Sequence, residues 1–196
     1  MGRTLRITLL AVAQVMLLGA MIAGYAWDLT RGQEIVVKTR PVDPRSLFRG
    51  NYVRLAYPFS RFDASGFLAD CIDHGQPLFV TLEDADGSDD WRPVGLGLRA
   101  PAIAPGARRV VLRGRARGSY CPNVTNADGT AYMISVDYGI SAYFAAPETA
   151  LALERRMRTA DEDQALRLIL SVPSSGRALI KGLVLDGERR YDQTLW

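Results

Sequence analysis

Residues Ile7 to Trp27 read ITLLAVAQVMLLGAMIAGYAW and divide the chain into two unequal parts. The run carries no charged side chain, and only Thr8 and Gln14 are clearly polar. At about 1.5 Å per residue, a helix of this length spans the roughly 30 Å hydrocarbon core of a bilayer. Tyr25 and Trp27 stand at its C-terminal end, where aromatic side chains commonly lie at a membrane surface. We therefore expect a transmembrane helix over residues 7–27, with the lipid bilayer as its first partner.

Positive charge before the run predicts its orientation. Arg3 and Arg6 lie in the tail of residues 1–6, and positively charged short tails stay on the cytoplasmic side. Arg31 follows the run, but it begins a long segment, and long domains translocate largely regardless of their charge. We expect a cytoplasmic tail over 1–6 and a domain over 32–196 on the far side of the membrane.

A cleaved signal peptide is the alternative to a permanent anchor. Gly24 and Ala26 have the small size that a cleavage site needs at positions −3 and −1. Signal peptides, however, usually carry an apolar stretch of only about 7–15 residues. The length of the run therefore favours the uncleaved anchor.

The amino-acid composition limits the kinds of site that the domain after the apolar run can form. Three of the 24 Lys+Arg residues and one of the 21 Asp+Glu residues precede residue 32, which leaves a nearly neutral domain and no footprint for nucleic acid. The single His, His74, excludes sites that need several imidazoles, and two Cys cannot form a four-thiolate zinc site. We expect neither a metal nor a cofactor.

Short β-branched and apolar runs separated by turn residues predict a mainly β (α+β) domain. The expected strands are Glu34–Arg40, Asn51–Tyr57, Leu78–Glu83, Trp91–Leu98, Arg109–Arg117, Ala131–Tyr138, Ala165–Val172 and Ala178–Asp186. A capped turn over Pro44–Arg49 and a helix over Pro147–Arg158 are the expected short helices. This pattern predicts a small β-barrel or a β-sandwich-like domain. Because the first strand follows the anchor closely, the domain should lie near the membrane surface.

Two cysteines, Cys71 and Cys121, fall in the translocated part, where an oxidising compartment permits pairing. A bridge would close a loop of about fifty residues, which the chain-entropy model values at about 4 kcal/mol. Turn-prone residues adjoin both positions and favour a link between loops. The alternative is a pair of buried free thiols.

Three polar features invite a catalytic or metal-binding interpretation. The loop Asp84–Asp90 carries alternating carboxylates, but its Gly and Glu spacing differs from that of an EF-hand, so we expect a solvated hairpin tip. His74 has no evident nucleophile partner and is expected in a loop. Lys181 could serve a Ser–Lys pair if it were buried, but an alternating strand favours exposure to solvent.

The strand Arg109–Arg117 carries arginine at its odd positions 109, 113, 115 and 117. Such a face could bind anionic headgroups or envelope polymers. A solvated outer face of a sheet would show the same pattern, and this interpretation is favoured.

The stretch from Asp43 to Tyr57 holds more polar side chains than a turn and a strand need. The candidate binding residues are Asp43, Arg45, Arg49, Gly50, Asn51, Tyr52, Leu55, Tyr57, Tyr138 and Lys181. In the expected strand, Val53, Leu55 and Tyr57 share one face. This stretch is either a structural corner capped by Asp43 or a docking surface beside the membrane.

The stretch Gly50-Asn51-Tyr52-Val53-Arg54-Leu55-Ala56-Tyr57 resembles the signature of the GDYXXLXY family of bacterial membrane-anchored proteins. Further similar segments are Tyr138-Gly139-Ile140, Tyr143-Phe144, Pro147-Glu148, Gly176-Arg177-Ala178 and Lys181-Gly182-Leu183. The Asp of the family signature is Asn51 here. Because Asn keeps an acceptor oxygen but cannot ionise, this difference disfavours a catalytic carboxylate at that position.

The resemblance implies a location and a partner but no activity. It implies a bacterial inner-membrane anchor with a periplasmic domain, and, by association, a multi-pass inner-membrane protein as partner. Our hypothesis is a non-enzymatic interaction or accessory module. The alternatives are a cell-envelope hydrolase or carbohydrate-active enzyme that uses a carboxylate pair such as Asp43 and Asp137, and a binder of anionic envelope polymers.

Overall fold

A computed structural model of the chain describes residues 2–41, 52–64, 66–67, 70–103, 108–121, 133–144, 166–185 and 187–190. Its first element is the helix α1 (Arg3–Arg31). Within the described ranges the strands are β1 (Gln33–Lys38), β2 (Arg40–Pro41), β3 (Tyr52–Ala56), β4 (Arg61–Asp63), β5 (Pro77–Glu83), β6 (Arg92–Gly97), β7 (Arg109–Ala116), β8 (Met133–Asp137), β9 (Ala142–Phe144), β10 (Arg167–Val172), β11 (Leu179–Leu185) and β12 (Glu188–Arg190). A short 3-10 helix, Pro58–Ser60, separates β3 from β4.

The helix α1 runs beyond the apolar segment at both ends. By length and composition, its segment Thr4–Arg31 could cross a membrane, and no residue of its apolar window is buried inside the protein. The final turn differs, because the Leu29 side chain is only 1% exposed. The chain then turns at Gly32 and enters β1 at Gln33 without a linker.

The described strands form three antiparallel sheets. Their orders are β1-β10-β11-β12, β2-β3-β9 and β4-β8-β7-β5-β6. Buried and more exposed residues alternate along β5 and β7, so one face of each strand lies in the core, as the alternation of apolar and polar residues in the sequence predicts. Side chains from all three sheets form one hydrophobic core. The mainly β prediction is confirmed, and these strands form open sheets rather than a closed barrel, which leaves the sandwich-like alternative.

Hydrogen bonds between strands and turns hold the sheets together. The indole Nε1 of Trp91, beside β6, donates to the carbonyl oxygen of Val36 in β1 at 2.9 Å. The Arg113 amide in β7 donates to the Gly176 carbonyl oxygen at 2.8 Å. Gly176 has φ +76°, and a Cβ there would lie 3.1 Å from the backbone of β7, so glycine suits this turn both in conformation and in size.

Both predicted hairpins are confirmed. The strands β5 and β6 pair antiparallel around the acidic loop, and β10 and β11 pair around the turn Pro173–Gly176. The predicted strands begin and end within two residues of most observed ones, and Glu34–Arg40 is divided into β1 and β2. The predicted turn Pro44–Arg49 and the predicted helix Pro147–Arg158 lie outside the described residues.

Candidate functional site

The structure describes six of the eight residues of the family-like segment, from Tyr52 to Tyr57. The backbone of Tyr52 lies in β3 and pairs with Phe144 of β9. Leu55 and Tyr57 are buried on the core face, as the alternation predicts. The candidate residues outside the described part are Asp43, Arg45, Arg49, Gly50 and Asn51. A binding role for them and for Tyr52 stays a prediction.

Two of the candidate residues, Tyr57 and Tyr138, form a reciprocal pair of hydrogen bonds. The Tyr57 hydroxyl donates to the carbonyl oxygen of Ile140 at 2.7 Å, and the Tyr138 hydroxyl donates to that of Phe59 at 2.9 Å. Each hydroxyl therefore binds the residue two positions after the other tyrosine. We call this arrangement the tyrosine clasp, composed of Tyr57, Phe59, Tyr138 and Ile140. It ties the chain after β3 to the chain after β8.

The ring of Phe59 lies between the two tyrosine rings of the clasp. It stacks on Tyr57 with centroids 5.2 Å apart and meets Tyr138 edge-on at 5.5 Å. Burial raises the pKa of both Tyr57 and Tyr138 above the ordinary tyrosine range, so both hydroxyls stay protonated and act as donors at neutral pH. These contacts favour the structural-corner interpretation for Leu55, Tyr57 and Tyr138.

Lys181 does not face open solvent, which corrects the expectation for that strand. Its side chain is 18% exposed, and its ammonium forms an ion pair with Glu34 of β1. Arg189 of β12 binds the other carboxylate oxygen of Glu34 at 3.0 Å. Hydrogen bonds from Lys181 and then Arg189 lower the pKa of Glu34. This ion-pair cluster joins β1, β11 and β12, and the Lys181 ammonium is occupied by it rather than by a serine.

Asp137, the described half of the proposed carboxylate pair, is held on the outside of β8. Its oxygens accept hydrogen bonds from Arg117 at 2.7 Å and from the Gly139 amide at 3.0 Å. Burial raises the pKa of Asp137, but the Gly139 amide and the Arg117 guanidinium outweigh that effect and lower it overall. A carboxylate kept ionised by an arginine is a poor general acid. Asp43 lies outside the described residues.

The acidic loop after β5 is not wholly solvated as expected. Asp84 is fully buried, its carboxylate accepts a hydrogen bond from Arg108 at 2.9 Å, and it also accepts the Ser88 amide at 3.2 Å. Its backbone amide in turn donates to the Arg108 carbonyl oxygen. The expectation of a solvated tip is wrong for Asp84, because a carboxylate with these partners can be buried. The described residues contain no group of three or more His, Cys, Asp or Glu that could hold a metal.

The arginine face of β7 is exposed, as the alternation predicts. Arg109 forms an ion pair with Glu83 at 2.8 Å, Arg117 pairs with Asp137, and Arg115 donates to the Gly75 carbonyl oxygen. Carboxylates thus neutralise two of these charges. The contacts favour the solvated outer face of a sheet over a surface for anionic polymers.

Cys71 and Cys121 form a disulfide, which confirms the predicted bridge. The residues next to the two cysteines within the closed loop are Ile72 and Tyr120, which exchange two backbone hydrogen bonds of 2.7 and 2.8 Å. His74 is exposed in the adjacent turn, as expected for a loop residue. The disulfide therefore joins the segment before β5 to the segment after β7.

Sequence reasoning did not find a groove at the C-terminal end of α1. The groove has a volume of about 310 Å³ and lies between the end of α1, the turn Pro173–Gly176, and the starts of β5 and β7. Arg31, Gln33 and Ser174 supply its polar lining, and Phe79 and Ile103 are among its apolar lining residues. The local sequence signal was the exposed segment Leu98–Ile103, which follows β6 and is apolar apart from Arg99. We refer to this feature as the foot groove.

The contact between α1 and the sheet next to the foot groove is close. The Ser171 hydroxyl of β10 donates to the Asp28 carbonyl oxygen at 2.8 Å, and the Gly32 amide donates to the same oxygen at 3.2 Å. A Cβ on Gly32 would lie 2.2 Å from the Ser171 Oγ. The glycine therefore permits the last turn of α1 to pack directly on β10.

A protein-family model described as GDYXXLXY protein matches residues 14–183. The match includes the C-terminal half of α1, the tyrosine clasp, the disulfide and Lys181. No curated protein and no solved structure matches the chain.

Proposed function

The chain belongs to the GDYXXLXY family, and from this premise we propose that it is a membrane-anchored accessory module that presents its β domain to a membrane protein partner at the bilayer surface. The proposal places α1 across a bacterial inner membrane, residues 1–6 in the cytoplasm and the β domain in the periplasm. The domain acts by interaction rather than catalysis.

The rigid junction between α1 and the sheet carries this proposal. The apolar segment ends at Trp27, and Leu29, two residues later, is already buried against the domain. Two residues of helix rise only about 3 Å, so a membrane around the apolar segment would bring the domain to its surface. A domain joined in this way is held at a constant height and orientation, which suits the presentation of a surface to a neighbouring membrane protein.

Two further observations support the proposed side of the membrane. Arg6 precedes the apolar segment, and positive charge before a span favours a cytoplasmic N-terminus. The disulfide between Cys71 and Cys121 requires an oxidising compartment to persist, and the periplasm supplies one.

The surface of α1 offers a partner helix room to approach. Ala20 and Gly24 lie four residues apart and therefore on one face, a spacing that permits close contact between helices in membranes. Nothing lies within 4 Å of a Cβ placed on Gly24. A multi-pass membrane protein could pack its own helix there while it contacts the β domain.

The orientation is tested by fusing reporters to Trp196 of the full chain. Alkaline phosphatase should be active at this position, because it folds only after export, and a fluorescent protein that matures only in the cytosol should stay dark. The opposite pair of results would refute the proposed orientation.

The partner is tested by purification of the full chain in mild detergent, followed by mass spectrometry. A multi-pass membrane protein should co-purify in stoichiometric amount, and it should be lost from the variant Ala20→Leu/Gly24→Leu. Ala11→Leu is the matched control, because at about 100° per residue Ala11 lies on the opposite face of α1. Recovery of the chain alone would refute the accessory role.

A further inference from the structure

The foot groove lies where lipid headgroups would lie around an anchored α1. Arg31, which lines the groove, is four residues beyond Trp27 and therefore about 6 Å further along the helix axis. Its guanidinium lies over the Trp27 ring, 5.2 Å from the centroid. Tryptophan at the end of a span lies at the level of the headgroups, so the groove opens at or just above that level.

We propose that the foot groove binds an anionic phospholipid of the bilayer in which α1 is anchored. The proposal rests on the membrane anchor proposed above and adds a ligand to it. The phosphate and the first methylene groups occupy the groove, while the rest of the acyl chains stays in the bilayer.

The groove has an apolar lining close to the end of α1, whose Arg31 also lines it. Ala100, Pro101 and Ile103 line it, and all three are exposed. The exposure of these apolar side chains to water is unfavourable, by about 25 cal/mol for each Å² of apolar surface. Because Arg31 of α1 lines the same groove, the acyl chains around an anchored α1 are the nearest apolar cover for this segment.

Arginines in the lining of the groove and next to it in the chain supply positive charge for a phosphate. Arg31 lines the groove, and Arg99 and Arg177 each adjoin a lining residue and are exposed. The nearby carboxylates along the chain are Asp28, on the last turn of α1, and Glu34, which Lys181 and Arg189 neutralise. A guanidinium binds a phosphodiester through two parallel hydrogen bonds, which makes arginine well suited to this ligand.

The size of the groove limits how much of the lipid enters. Its volume of about 310 Å³ is at the lower end of the range for small-molecule sites, which begins at about 300 Å³. A headgroup with its first methylene groups fits such a volume, but a whole phospholipid does not. The proposed ligand therefore enters only in part and stays anchored in the membrane beside α1.

The test uses a benzophenone amino acid in the full chain, reconstituted in nanodiscs of phosphatidylglycerol, phosphatidylcholine or an equal mixture. The probe is placed at Ile103 or, in a second variant, at Ala100. Illumination followed by intact-mass spectrometry counts lipid adducts. Val15, which is exposed in the middle of α1, is the control for the anchor. Met133 is the control for the solvent, because β7 and β8 place it on the order of 25 Å from Val111 at about 3.3 Å per residue.

We expect lipid adducts at Ile103, Ala100 and Val15 and none at Met133. In the mixed nanodiscs, phosphatidylglycerol adducts at Ile103 should outnumber phosphatidylcholine adducts at least threefold, and Arg31→Gln should reduce this ratio toward one. Soluble glycerol phosphate added at millimolar concentration should not reduce the adducts, since the ligand is a lipid of the bilayer and not a free phosphate.

Adducts at Val15 without adducts at Ile103 and Ala100 would overturn the lipid site and leave the anchor intact. An absence of adducts at all positions would refute the anchor as well. Equal labelling by the two lipids, unchanged by Arg31→Gln, would overturn the anionic specificity. Capture of a protein instead of a lipid at Ile103 in native membranes would also overturn the proposal.

Discussion

Tyr57 and Tyr138 each donate their hydroxyl proton to the carbonyl oxygen two residues beyond the other, at 2.7 and 2.9 Å. The two tyrosines lie 81 positions apart in the chain. Both hydroxyl protons are used in bonds within the domain, and both rings pack on Phe59 in the core. The final tyrosine of the family-like segment thus connects the chain after β3 to the chain that follows β8.

Removal of either hydroxyl of the clasp should destabilise the domain. Tyr57→Phe or Tyr138→Phe leaves a buried carbonyl oxygen without its donor, and each should lower the free energy of unfolding by about 1–2 kcal/mol. Because both bonds tie the same two segments, the double variant should cost less than the sum of the single ones. Guanidinium titration of the full chain in detergent, followed by tryptophan fluorescence to which the buried Trp91 contributes, measures these values. Ser119→Ala, which removes an exposed hydroxyl, should change the midpoint very little, and an equal loss there would refute a specific role for the clasp.

Sequence patterns predicted the elements whose determinants are local. The hairpin of β10 and β11 was visible because apolar runs flank Pro173-Ser174-Ser175-Gly176, and alternation alone placed Leu55 and Tyr57 on one buried face. The continuation of α1 to Arg31 has no apolar signal in the sequence, because Asp28 to Arg31 are mostly polar. The burial of Leu29 comes from contact with the domain, which no local pattern encodes.

The sequence could not predict which residues pair with the polar side chains. Asp84 has the pattern of a solvated loop, yet it is buried because Arg108, 24 positions later, pairs with it. Lys181 has the pattern of an outward strand position, yet it forms an ion pair with Glu34, which lies 147 positions earlier in the chain. The foot groove combines parts of α1, β5, β7 and two turns, so it exists only after the sheets have assembled.

The buried carboxylate of Asp84 should contribute measurably to stability. Its side chain is 1% exposed while that of Arg108 is 60% exposed, so most of the desolvation falls on the carboxylate. Asp84→Ala removes the acceptor of both the guanidinium and the Ser88 amide, and should lower the free energy of unfolding by about 2–3 kcal/mol. Asp84→Asn keeps an acceptor oxygen for the amide and should cost about half as much.

Asp86→Asn, at an exposed position of the same loop, is the matched control and should have little effect. Thermal unfolding of the three variants ranks them directly. If Asp84→Ala and Asp86→Asn unfold at the same temperature, the carboxylate of Asp84 has no structural role.

The ion-pair cluster of Glu34, Lys181 and Arg189 should make stability depend on pH at the acidic end. The pKa of Glu34 is lowered in the folded protein, so its contribution is complete above the unfolded value of about 4.3 and is lost as pH falls through the folded value. Glu34→Gln should therefore be less stable than the native chain at pH 7, and the difference should disappear in strong acid.

The measurement is the guanidinium midpoint of both chains between pH 7 and pH 2. Glu188→Gln is the control, because both partners of the Glu188–Arg190 ion pair are well exposed and such pairs contribute less than about 1 kcal/mol. A constant difference between the native chain and Glu34→Gln at every pH would show that the ionised carboxylate is not the stabilising form.

The disulfide should stabilise the folded domain chiefly by restricting the conformations of the unfolded chain. Cys71 and Cys121 are 50 positions apart, and a loop of that size corresponds to about 4 kcal/mol in the chain-entropy model. Reduction, or the double substitution Cys71→Ala/Cys121→Ala, should lower the denaturation midpoint without moving the folded-state contacts of Ile72 and Tyr120. Equal midpoints for the oxidised and the reduced chain would contradict this expectation.

A substitution at the junction of α1 with β10 tests whether the helix and the domain move as one body. In Gly32→Ala the new methyl group would lie 2.2 Å from the Ser171 Oγ and 2.9 Å from two backbone atoms, so the last turn must separate from the sheet. Hydrogen exchange in detergent should then increase at Leu29–Gln33 and at the end of β10, while the core of β7 stays protected. Gly24→Ala, where nothing lies within 4 Å of the new atom, is the matched control and should exchange like the native chain. If Gly32→Ala leaves exchange at Leu29 unchanged, the helix is not held by this contact. The constant height that we propose for the domain above the membrane would then need another cause.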